Sequence, residues 1–173
     1  MMRIYKITTL LSALLLLSIS LNAQHYSTKK AQVKMIVTDT ICYFQAETTT
    51  ALVDIVAAEN SCSFVLPVKA FQLNERNKDI AFKECFSLTG FPLITFKGQM
   101  KGAEDWKDGK AGSYKLKLMG MLDIKGESIP LSENVVLLLE NGKMNLAFNT
   151  SVKVGEVIVD LDCDFNLVNG RGQ

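Results

Sequence analysis

The chain has 173 residues, of which 48% are hydrophobic, 21% are charged and three are proline; this is one domain's worth of foldable chain and excludes disordered, collagenous and low-complexity architectures. Nineteen Lys and Arg stand against eighteen Asp and Glu, without the basic surplus of a nucleic-acid binder. A single histidine removes most His-dependent catalysis and most zinc sites.

The first segment reads as an address. Arg3 and Lys6 precede an apolar run from Leu10 to Leu21, and Ala23 offers a small residue for cleavage. That is the pattern of a signal peptide. The run is shorter than the roughly 20 apolar residues a membrane span needs. A buried core helix is the alternative, but nothing caps it. The expected division is residues 1–23 as signal peptide and residues 24–173 as one exported, soluble domain, periplasmic or secreted. The residue directly after the cut is Gln24 and not cysteine, which argues against a lipoprotein anchor. Loss of Arg3 and Lys6 leaves 17 basic against 18 acidic residues. His25, two residues past the cut, is expected to be frayed.

Beyond that point period two dominates. Val33, Met35 and Val37 share one parity, and residues 50–57 form a less clean strand. Glu59-Asn60-Ser61 is a turn. Cys62, Phe64, Leu66, Val68 and Ala70 then share a face. The rhythm breaks over residues 74–87, where Phe82, Cys85 and Phe86 fall at i, i+3 and i+4. This predicts one short helix capped by Asn77 or Asp79, or a loop whose aromatics plug a barrel end. Ile94, Phe96 and Gly98 resume the alternation, and residues 107–112 form a loop. Tyr114, Leu116, Leu118, Gly120, Leu122 and Ile124 follow; glycine in the middle of that strand predicts a bulge or bend. Asn141-Gly142 is the best hairpin signal, because both residues tolerate positive φ. Met144, Leu146 and Phe148 lead into it from the other side, Gly155 ends a strand, and Val157 to Leu167 alternates to the close.

Eight or nine strands with one packed and one wet face imply antiparallel pairing. The fold class is all-β: a sandwich or an up-and-down barrel. Eight strands close around an interior that is either packed or holds one small ligand. The inward set on the clean strands carries no charge, so any ligand inside is greasy.

Several strings resemble one family. Phe91-Pro92-Leu93-Ile94-Thr95-Phe96-Lys97-Gly98 is similar to the tyrosine-proline-x-x-x-phenylalanine-lysine-glycine string of the YceI-like family, exported lipocalin-like bacterial barrels. Tyr114 to Gly126 resembles that family's strand, glycine, leucine-x-isoleucine and second glycine, and Val157 to Leu167 its closing strand. The resemblance covers nearly all of residues 24–173. It implies an antiparallel, up-and-down, eight-stranded lipocalin-like barrel with one short helix, whose long apolar cavity takes polyisoprenoid or other long-chain amphiphiles. Ala81-Phe82 stands where many members carry histidine-phenylalanine, and Glu127-Ser128 follows the second glycine in place of the usual residues. Both departures bear on the head group.

The expected ligand-binding residues are therefore Phe64, Leu66, Phe96, Leu116, Leu118, Leu146, Phe148 and Phe165 along the barrel, with Phe82 and Phe86 closing one end. No catalytic residue, metal ligand or cofactor is expected, and no enzyme. Asp160, Asp162 and Asp164 project about 7 Å apart, too far to share an ion on a straight strand. Lys115 and Lys117 form a solubility face. There is no G-x-S-x-G, P-loop or H-E-x-x-H. The expected partner is a hydrophobic small molecule, without nucleic acid or stable membrane insertion; monomer and dimer both stay open. A second reading is a packed barrel whose outer face, with Met119, Met121 and Ile158, docks another envelope protein. Cys42, Cys62, Cys85 and Cys163 allow three full pairings or free thiols.

Overall fold

The computed structural model describes residues 24–28, 30–38, 43–73, 90–102 and 104–170. The predicted helix over 74–87, with Phe82, Cys85 and Phe86, and Cys42 lie outside the described residues. Eleven strands form one antiparallel sheet: β1 (His25–Thr28), β2 (Gln32–Thr38), β3 (Tyr43–Thr48), β4 (Leu52–Val56), β5 (Ser61–Pro67), β6 (Gln72–Leu73), β7 (Leu93–Gly102), β8 (Gly112–Ile124), β9 (Glu127–Glu140), β10 (Lys143–Val154) and β11 (Val157–Asn169).

These make eight staves, because three staves are broken. β11 pairs with β1 through Tyr26↔Asn169 and with β2 through Val33↔Cys163. The stave next to it is broken as well, with β4 on β1 and β3 on β2. β5 pairs with β4, and the short β6 with β3. The order β1-β4-β5-β7-β8-β9-β10-β11 closes on β1, so the expected eight-stranded up-and-down barrel is what the chain builds. Closure removes the two outer edges an open sheet would have, although β9 and β10 pair only from Lys143↔Glu140 to Ala147↔Val136.

Strand alternation sets the core. On β11, Val157, Val159, Leu161, Cys163, Phe165 and Leu167 are buried while Ile158 and Asp162 face out. The tight turns follow local chemistry. Asn141-Gly142 carries φ of 51° and 74°, and Lys125-Gly126 carries 51° and 80°; positive φ at both central residues is the hairpin turn that matches strand twist. Gly155, at φ 59°, supplies the single positive φ of the third hairpin. Asn60 at φ 54° ends the Ala57–Glu59 turn, as the Glu59-Asn60-Ser61 signal predicts.

Gly120 corrects an expectation. β8 pairs without interruption from Gly102↔Leu116 to Thr95↔Asp123 on one side and along β9 on the other, so there is no bulge. Gly120 instead faces Gly98 across the β7–β8 ladder. The Phe96 ring lies over both: a Cβ on Gly98 would sit 2.5 Å from Phe96 Cζ, and one on Gly120 2.8 Å from it. The two missing side chains are the space the ring occupies.

His25 is also corrected. It opens β1 opposite Val56, and its Nε2 meets the Asp54 carboxylate. The physical reason is closure: β1 joins β4 to β11, so the strand that His25 opens is held on both sides, His25 itself by Val56 of β4. Among the described residues, no helix is long and apolar enough to cross a membrane.

Candidate functional site: the barrel interior

Eight of the ten residues singled out from sequence fall on the inner face and are buried: Phe64, Leu66, Phe96, Leu116, Leu118, Leu146, Phe148 and Phe165. Four of them meet. Phe64 and Phe96 stack with ring centroids 5.1 Å apart. Phe64 also contacts Phe165 at 5.5 Å and Phe148 at 6.1 Å, and Phe148 and Phe165 meet edge-on at 5.8 Å. Each such pair is worth about 0.5–1.5 kcal/mol beyond area burial. The cluster joins β5, β7, β10 and β11 across the lumen, so these rings set the barrel's width. Leu66, Phe96, Leu118, Leu146 and Phe165 have no solvent-accessible surface at all; packing around them is as close as in a solid core.

Sequence reading missed three elements of this interior. Trp106 is 1% exposed, although it stands in a polar turn, Asp105–Asp108, between β7 and β8. It closes the end of the barrel near the Ala57–Glu59 turn. Its only signal in sequence is that it is the chain's sole tryptophan. Tyr26, on β1 at the same end, is buried and donates its hydroxyl to Gln24 Oε1 at 2.5 Å. Burial raises its phenol above the ordinary value, against the lowering effect of a hydrogen bond with Asn169.

The third is Glu133. It stands on the inward parity of β9 between buried Leu131 and Val135. Among the described residues, the inner wall therefore holds one carboxylate, which accepts a hydrogen bond from Thr150 Oγ1 at 2.8 Å. β9 shows only an incomplete alternation in sequence, which is why the charge escapes notice.

Cys62 and Cys163 are buried free thiols. Burial, and then the nearby Asp54, push the Cys62 thiol up from 9.0 to about 12. Burial, then Asp162 and Cys62, push Cys163 up further. A thiol that ionises later in the fold than in the open chain stabilises the fold only below its open-chain pKa. Stability is thus expected to hold below pH 9 and to fall from pH 9 towards 12 as the unfolded chain loses protons that the fold retains. Urea midpoints across that range test this, and Cys62→Ala/Cys163→Ala should flatten part of the slope. An unchanged slope in the double variant would refute it.

The outer face carries no comparable chemistry. Asp160, Asp162 and Asp164 lie outward on β11, and Asn145 Nδ2 donates to Asp164 Oδ1 at 2.6 Å. No group of three His, Cys, Asp or Glu able to hold a metal ion occurs among the described residues. Lys115 and Lys117 are exposed, as are Met119, Met121 and Ile158.

A closed eight-stave antiparallel barrel with an aromatic core defines a lipocalin-like architecture. Solved structures with this fold include a YceI protein, and the chain shares their fold. A polyisoprenoid binding domain from Saccharophagus degradans, implicated in plant cell wall breakdown, superposes with a TM-score of 0.69 at 7% identity, covering 86% of this chain and 99% of its own. BcnA of Burkholderia cenocepacia gives 0.59 at 17% identity, over 80% of this chain and 96% of its own. A mutant YceI protein of Campylobacter jejuni gives 0.50 at 13% identity, over 75% and 83%. No protein-family profile and no curated protein matches the sequence.

Proposed function

We propose that the protein is an exported carrier that holds a long-chain amphiphile, isoprenoid or fatty-acid-like, inside the barrel. The observation that carries this reading is the apolar inner wall with Phe64, Phe96, Phe148 and Phe165 across its lumen. An apolar chain gains about 25 cal/mol for each Å² it withdraws from water, and no covalent chemistry is needed. That the Saccharophagus degradans domain of similar fold is a polyisoprenoid binding domain supports the same class of ligand. The rings meet across the lumen, so uptake requires Phe rotation. Phe82 and Phe86 belong to the proposed site as its end closure. Residues 1–23 act as the export signal, and residues 24–173 are the mature domain.

One observation favours a second reading. Leu66, Phe96, Leu118, Leu146 and Phe165 border no void that admits water. A barrel packed this way serves as a module for another envelope protein, with Met119, Met121 and Ile158, at 37%, 42% and 42% exposure, on its outer face.

Native mass spectrometry of detergent-free protein, followed by solvent extraction, separates the two. A stoichiometric extra mass that extracts as a long-chain lipid is expected. Protein that stays ligand-free after incubation with prenyl quinones and fatty acids would eliminate the carrier. The intact mass also reads whether the chain begins at Gln24.

A further inference from the structure

The barrel wall is not equally sealed all round. β8 and β9 pair from Gly112↔Leu139 to Ile124↔Glu127, and β10 and β11 from Lys143↔Val168 to Val154↔Val157. Between these two hairpins, β9 and β10 pair only from Lys143↔Glu140 to Ala147↔Val136. Above that point the ladder stops. Its register, continued, sets Glu133 opposite Thr150, and there the side chains bond where the backbones do not.

A second observation marks the same place. Of all the buried residues, Thr150, Val152, Phe148 and Val157 keep the most accessible surface, at 8%, 7%, 6% and 6%. Three are consecutive inward positions of β10 along the unpaired stretch. Among the described residues, the core is least covered here, beside a member of the Phe cluster. A third observation is outside. A cleft of ≈ 450 Å³ runs over β2, β11 and β10 and reaches Glu133 and Thr150 at the seam. Its charged residues are Lys34, Glu133, Asp160 and Asp162: three carboxylates to one ammonium.

We infer that the seam between β9 and β10 is where the amphiphile's polar head sits, bonded to Glu133 and Thr150, and that this head is a hydrogen-bond donor without negative charge, a hydroxyl or an ammonium. The inference rests on the carrier reading. The chain end enters beside Phe148 and lies among the rings, while the head stays at the wall. The Glu133 carboxylate only accepts hydrogen bonds; its Oε1 takes Thr150 Oγ1, and its second oxygen accepts from a donor head beside that hydroxyl. A phosphate or carboxylate head is disfavoured, because the cleft's three carboxylates outnumber its one ammonium.

The test is competition among a prenol, a prenylamine and a prenyl phosphate of equal chain length, each displacing a fluorescent polyene probe from the full-length protein. The wild type is expected to favour the alcohol and the amine over the phosphate by about tenfold or more, the size of one charge-assisted hydrogen bond. Glu133→Gln keeps an acceptor for Thr150 and should cut the amine's advantage while leaving the alcohol bound. Glu133→Lys should reverse the order in favour of the phosphate. Thermal melts identify any variant that fails to fold, in which case Glu133→Gln alone decides. If the chain lipids bind but the ranking is the same in wild type and Glu133→Gln, the seam does not hold the head and the inference is wrong. If no head group yields binding to the wild type, the carrier reading falls and takes this inference with it.

Discussion

Gly120→Ala is expected to destabilise the fold by about 3 kcal/mol, the upper end of what overpacking costs. A Cβ at Gly120 would stand 2.3 Å from the Lys97 carbonyl oxygen and 2.5 Å from the Gly98 Cα. Both are backbone atoms of the paired strand, so the β7–β8 ladder itself must spread. Phe96 Cζ, at 2.8 Å, is the lesser obstacle, since a ring can rotate. Phe96→Leu combined with Gly120→Ala should therefore not restore stability. Gly142→Ala is the control. Nothing lies within 4 Å of a Cβ there, and only its φ of +74° opposes the change, at about 1 kcal/mol. Urea midpoints read all three. A fully rescued double variant would show that the ring, not the ladder, forbids the side chain.

Trp106→Ala should cost about 3–5 kcal/mol, the range for emptying a large aromatic site in a core. The indole is 1% exposed and lies where β7 hands over to β8, so its loss opens a cavity at the closed end of the barrel. In a chain of this size the melting temperature should fall by roughly 10 °C. Trp106→Phe should recover much of the loss by refilling the space. Because Trp106 sits at one end and Glu133 in the side wall, the alanine variant should keep the head-group ranking of the wild type while it remains folded. A loss below about 0.5 kcal/mol, the size of an ordinary surface change, would mean that the turn around Trp106 does not close the barrel.

The strands that read cleanly in sequence are the long ones. β8 and β11 repeat apolar residues at every second position through the whole stave, and strand pleat turns that repeat directly into an inner and an outer face. The eight inward residues chosen for the ligand were legible for that reason alone. What escaped has local causes. The staves that break, β1 with β2, β4 with β3 and β5 with β6, are too short for periodicity to link their halves, so residues 50–57 read as a poor separate strand and His25 as a frayed end. Gly120 was read by a rule about single strands, whereas its reason is the facing Gly98 and a ring two residues along the partner. Trp106 lies among charged neighbours, and no local pattern predicts that a turn folds inward. Glu133 is the clearest case. A carboxylate on an inner wall contradicts binary patterning, and such conflicts between local rule and structure gather where a fold has work to do.

The closing pair of the ring, Tyr26↔Asn169, joins residues almost a full chain length apart, whereas β8 to β11 are linked by two-residue turns. Local pairings form early and distant ones late. The last four staves can thus zip as one meander, but β1 has no ring partner at its β11 side until Asn169 is synthesised. A chain emerging N-terminus first therefore keeps β1 without one of its two ladder neighbours until β11 follows. In that interval Tyr26, the buried ring of β1, has the β4 side of its ladder and not the other.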